Sequence, residues 1–221
     1  MGPASDGAFG ALLLGDARLP VGGHTQSAGL EPAILAGLQA RDVPGYLRVR
    51  LMTVSRVDAA TLALGMRALR GADYGLDLVH AHWSARTPSH VQRRAAEHAS
   101  HGYLRLAKRL DPRRSAAAGV PATRPLAMAL LADILACDPL QAVRVLLHDE
   151  IQTITSAALK LLPLDPVTSV EWAIAAHPLA ETIAAEAAAV SHPRDIPSPS
   201  APETEAWIHA HATTPRRLFS A

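Results

Sequence analysis

The most regular apolar repeat in the chain is Leu140, Val143, Leu147, Ile151, Ile154, Ala158 and Leu161. Steps of three and four place these side chains on one face of a helix. The pattern predicts a helix from Asp138-Pro139 to Leu162, stopped by Pro163. A second stripe, Leu47, Leu51, Val54, Leu62, Gly65 and Leu69, predicts a long helix capped by Asp42, with Pro44 in its first turn and Gly71 beyond its end. Asp58 interrupts that stripe. A structural ion pair with an arginine of a neighbouring helix is the favoured account of it, ahead of a catalytic role. A third helix is predicted from Thr87-Pro88-Ser89 to Leu110, with Val91, Ala95, Ala99, Gly102, Leu106 and Leu110 as its packed stripe. Arginines and a lysine decorate its other faces and read as a solvated surface.

Shorter apolar segments complete the pattern. Helices are expected at Ala8 to Leu14, Leu30 to Leu38, Ala72 to Trp83, Leu126 to Ala136 and Glu203 to Thr213. Another runs from Asp165-Pro166 to Val190, with a kink or break at His177-Pro178. Residues 111–125 hold three prolines and no period, so they read as a loop, and 191–202 read as a Pro/Ser-rich linker. No strand-like alternation bounded by turns occurs. The expected fold is all-α, a single compact domain of about eight to ten helices. Residues 1–190 form its core. Residues 191–221 supply the linker, a short helix and a C-terminal tail, in the same domain or docked onto it.

Composition narrows the class. Hydrophobic residues make up 49% of the 221 and aromatics only 4%, which favours helix over sheet. The 21 basic and 20 acidic residues nearly balance, and no basic stripe interleaved with aromatics points to nucleic acid. The single Cys137 excludes an internal disulfide and fits a reducing compartment. Without a cleavable leader pattern or an 18-residue apolar run, a cytoplasmic protein with no membrane partner is expected.

Candidate chemistry centres on Leu12 to Glu31, where Leu19-Pro20-Val21-Gly22-Gly23 specifies a loop shape before an apolar helix. Its spacing matches neither phosphate-binding glycine motif. A nucleophile elbow would require Gly where Thr25 stands, so Ser27 reads as a capping or packing hydroxyl before a nucleophile. Among eleven histidines, His80/His82 and His209/His211 are two apart and diverge on a helix. His98 and His101 are three apart with Glu97 adjacent and have a spacing that could share a metal, although surface or packing roles are favoured. Cys137 reads as a structural thiol. The apolar-basic ending, Arg216-Arg217-Leu218-Phe219, either folds back into the core or anchors in a partner.

The run Leu19, Pro20, Val21, Gly22, Gly23, Ser27, Gly29, Leu30 and Glu31 resembles the N-terminal signature of the urease accessory protein UreF family, read as L-P-[VT]-G-[GA]-aromatic-x-x-S-x-G-[LI]-E. His24 replaces the aromatic, as in the actinobacterial branch. The resemblance continues through Gly102 to Arg109, Ser156 to Asp165, and the tail Arg217-Leu218-Phe219-Ser220. It implies a non-enzymatic, α-helical, commonly dimeric protein without a cofactor of its own. Such a protein binds UreD (UreH) and recruits the GTPase UreG to apo-urease, so that nickel and carbon dioxide are installed. The residues it marks as partner-binding are Leu19, Pro20, Gly22, Gly23, Ser27, Gly29, Glu31, Arg217, Leu218 and Phe219. A helical metal-binding protein using His98 and His101 is the alternative.

Overall fold

The computed structural model describes residues 7–22, 26–212 and 218–219. At the centre stands one rod of three parts: α3 (Val43–Arg50), a π-helical turn (Leu51–Ser55) and α4 (Arg56–Leu69). Every residue of α4 from Val57 to Met66 is buried. A helix covered all round lies inside a domain rather than on its rim. The other central element is α8 (Arg124–Ile134), buried from Pro125 to Asp133 and packed on α4. Around this pair lie α5 (Leu76–Arg86), α6 (His90–Leu110), α9 (Pro139–Leu161) and α10 (Pro166–Ala189), with α1 (Ala8–Leu14) against α8 and α9. Helices α2 (Leu30–Leu35) and α11 (Pro202–Ala212) pack together, with α2 also on α9 and α11 on α6. Counting α3 and α4 as one rod, the described residues hold ten helices and no strand, an all-α architecture.

The periodic helices form because their ends are specified as well as their faces. Asp138 caps α9 by accepting from the Gln141 N–H (3.0 Å), while the Gln141 side chain accepts from the Asp138 N–H (3.3 Å). Ser89 and Asp165 cap α6 and α10 in the same sense.

Several expectations are corrected. Asp42 does not cap α3. Its carboxylate accepts from the Gln39 N–H (3.0 Å) and closes a short 3-10 turn before the helix. Helix α2 stops at Leu35, where Gly37 takes φ 108° and the Leu38 N–H bonds back to the Ala33 carbonyl (3.0 Å). Helix α5 begins at Leu76, after extended Gly75, rather than at Ala72. Within 111–125 lies α7 (Pro112–Ala118). Asp111 caps it, Pro112 opens it, and Arg114 pairs with Asp133 to hold it against α8. The prolines that suggested a loop sit where a helix begins.

Helix α10 is continuous across Pro178. The carbonyl deprived of its partner belongs to Ile174 on the exposed side, where water can reach it. The buried face of α6 is Ala99, Ser100, Tyr103 and Ala107, and Leu110 is 51% exposed. The stripe is thus rotated, because Gly102 meets the N-terminal loop while Ala95 and Ala99 line a cavity. The 191–202 segment is packed, not loose. Ile196 is 2% exposed, and Arg86 donates to the carbonyls of Ile196 and Arg194.

Candidate partner interface

Two segments distant in sequence meet at one carboxylate. Glu31, buried in the first turn of α2, accepts the backbone N–H groups of Leu218 (2.7 Å) and Phe219 (3.1 Å) through its two oxygens. Successive N–H groups converging on one anion form a strong, charge-assisted clamp. Phe219 is 4% exposed, with the Lys160 ammonium 5.2 Å from its ring centre, whereas Leu218 beside it is 64% exposed. The tail therefore docks on its own chain through Phe219 and leaves Leu218 facing outward.

The signature loop is shaped for this junction. Ser27 is fully buried, and its Oγ accepts from the Glu31 N–H at 3.4 Å, placing it at the start of α2 as a packing and capping hydroxyl. Gly29 has φ 80°, and a Cβ there would lie 2.8 Å from the Tyr46 hydroxyl and 3.1 Å from Ile208 of α11. Both the backbone conformation and the space demand glycine. The Tyr46 hydroxyl donates to the Ala28 carbonyl (2.7 Å), and its ring lies 6.3 Å from that of Trp207. On the other side of the loop, Leu19 is half-buried, exposed Pro20 accepts from Arg105 (3.2 Å), and Gly22 takes φ 84°. Val21 presses so closely on α6 that a Cβ on Gly102 would come 2.6 Å from its Cα. Gly102 thus admits the loop backbone, while α6 packs on α8. Gly23, His24 and Arg217 lie outside the described residues.

Beneath the loop is an ionic cluster that sequence reasoning missed apart from Asp58. Arg50 donates twice to Glu150 Oε1 (3.0 and 2.6 Å), with both side chains under 10% exposed. Arg124 pairs with Asp149 (2.6 Å) and lies 3.5 Å from the second Glu150 oxygen. Asp58 is buried but does not form the expected ion pair. Its Oδ1 accepts the Trp83 indole N–H at 2.8 Å. Burial pushes the Asp58 carboxyl up to about 6, against the lowering effect of Arg124 and the indole bond. Burial also works to raise Glu150, but Arg50 and Arg124 outweigh it and hold that carboxyl below its ordinary range. The cluster opens into a cavity of about 420 Å³ between the signature loop, α6 and the central rod. Glu150 was within reach of the sequence, since it follows Leu146 and Leu147 in the buried stripe of α9. Its partner Arg50 lies 100 residues away, a pairing no local pattern reveals.

His98 and His101 stand with ring centres 6.1 Å apart on the exposed side of α6. Among the described residues no group of three or more His, Cys, Asp or Glu is placed to hold a metal ion. Cys137 is buried, and burial raises its thiol pKa, in keeping with a structural role. No helix among the described residues is long and apolar enough to cross a membrane.

With a shaped loop, a clamped tail end and a buried ionic cluster set among helices and no strand in the described residues, the chain is, by class, an all-α protein. The UreF family model matches residues 38–177, most of the chain, and the chain belongs to the UreF family. It is similar to the urease accessory protein UreF of Mycolicibacterium vanbaalenii, 33% identical over 215 residues that cover 95% of this chain and 96% of the relative. It is also similar to the protein of that name from Mycobacterium sp. strain JLS, 30% identical with the same two coverages. The Mycobacterium bovis protein of that name is 31% identical over 183 residues, covering 80% of this chain and 84% of the relative. The family match begins after the signature loop and ends before the tail. The similarity to the two longer-matching relatives spans more of the chain.

Proposed function

We propose that this chain is a urease accessory protein that acts by binding, not by catalysis. It docks UreD (UreH), recruits the GTPase UreG to apo-urease, and so enables insertion of the nickel ions that are this pathway's cargo. It works as a homodimer in the cytoplasm. The observation that carries the reading is the junction at Glu31. The two segments singled out by resemblance, 187 residues apart, share one carboxylate and present Leu218 to solvent. An exposed leucine beside a fixed aromatic anchor is the kind of apolar contact a partner's pocket recognises.

Co-expression with UreD, UreG and urease tests it. The wild-type chain is expected to co-purify with UreD and to support urease activation. Leu218→Asp should weaken that capture about tenfold or more, a loss of roughly 1.4 kcal/mol, with the melting temperature unchanged. A surface substitution is the sharper probe than truncating the tail, because truncation also removes buried Phe219. Normal capture and activation by Leu218→Asp would remove the tail from the interface, and failure of the wild type to bind UreD would overturn the reading altogether.

A further inference from the structure

The cavity beneath the signature loop holds a buried carboxylate that the described residues leave without an ion pair. Asp58 faces Arg50 of α3, Arg124 of α8, Asp149 and Glu150 of α9, the Trp83 indole of α5 and Tyr103 of α6. Arg50 and Arg124 are both engaged by Glu150 and Asp149. Both arginines are thus ion-paired to other carboxylates, and among the described residues no cation comes within ion-pair distance of Asp58. Of its oxygens, Oδ1 accepts from Trp83, while among the described residues no hydrogen bond reaches Oδ2. A buried carboxylate without a direct ion pair favours a cation or a strong donor over an anion. The walls above are apolar, formed by Val21, Val54, Val91, Ala95, Ala99 and Ile208. A volume of about 420 Å³ is within the range of small-molecule sites. His90, Arg94 and His98 lie at the exposed rim on α6, where solvent screens their influence on the floor.

The geometry points to a binding site for a primary ammonium group on a short aliphatic chain, its nitrogen on Asp58 and its methylenes against the valines and alanines. Two sources carry that chemistry: a free alkylamine, or a lysine side chain presented by another protein. The site stands apart from the urease reading and does not depend on it.

The probe is n-butylammonium, titrated into the full-length chain while the Trp83 indole N–H resonance is followed by NMR. That proton bonds directly to Asp58, and Trp172→Phe and Trp207→Phe variants assign it. A saturable shift with a Kd on the order of 1 mM is expected for so small a ligand. Binding should weaken about tenfold from pH 7.5 to pH 5, as Asp58 takes up a proton. Asp58→Asn should abolish it. So should Ala95→Met, which fills the cavity without touching the charges and serves if the first variant fails to fold. Nα-acetyl-lysine N-methylamide separates the two sources: binding of both probes admits a protein side chain, and binding of butylammonium alone assigns a free amine. No saturable shift, undiminished binding in Asp58→Asn or Ala95→Met, the same response to butyrate, or a nickel-induced shift that butylammonium does not compete away would overturn the site.

Discussion

At the residue scale, glycines and buried charges do different work here, and substitutions separate them. Gly102→Ala drives a methyl into the backbone of Val21, which cannot retreat as a flexible side chain could. A loss of about 1–3 kcal/mol is expected in denaturant unfolding. Gly22→Ala meets no atom within 4 Å and should cost only the left-handed conformation at φ 84°, about 1–2 kcal/mol. Asp58 carries a pH signature. Its carboxyl rises from 3.8 to about 6 on folding, so the native state holds the proton more tightly than the unfolded chain. Stability from this group is present below pH 4, falls as pH climbs toward 6, and is then constant. The rise corresponds to roughly 3 kcal/mol. The stability of Asp58→Asn relative to wild type should therefore grow by about that much between pH 4 and 7, measured by urea melts at each pH. A flat difference would show that Asp58 is not desolvated. That an aspartate interrupts an apolar stripe was readable from the sequence, but that an indole answers it was not. The partner lies in another helix and has no charge.

At the scale of elements, the strongest periodicities were the most legible. Helix α9 falls within a residue of its expected span because apolar face, capping box and terminal proline all agree. Helix α7 was hidden because prolines and arginines mask a helix too short to show a period. Its stability comes from the cap at Asp111 and the Arg114 pair with Asp133. The ionic pairs joining elements also differ by burial. Glu150→Ala leaves Arg50 buried without its partner and should cost about 3–5 kcal/mol. Arg144→Ala breaks the α9–α10 pair with Glu181, in which both side chains are about half exposed, and should cost at most about 1 kcal/mol. Parallel thermal melts of the two variants check the ordering.

At the scale of the whole molecule, the candidate site joins both ends of the chain, which is why local pattern showed its parts but not their union. Glu31→Ala should leave the core melt close to wild type while raising hydrogen exchange at the Leu218 and Phe219 amides by tenfold or more, on the order of 1.4 kcal/mol of local protection. Unchanged exchange would mean the clamp does not hold the tail. The π-helical turn at Leu51–Ser55 has a further consequence. A helix advances about 100° per residue, so one residue more or less in this turn rotates everything before it relative to everything after. Arg50 and Asp58 stand on opposite sides of that turn, yet both line the same cavity. Removing a single residue from Leu51–Ser55 could restore an ordinary helix and still undo the cavity. The chain thus carries an angular reading frame, and the slack that sets it is stored in five residues.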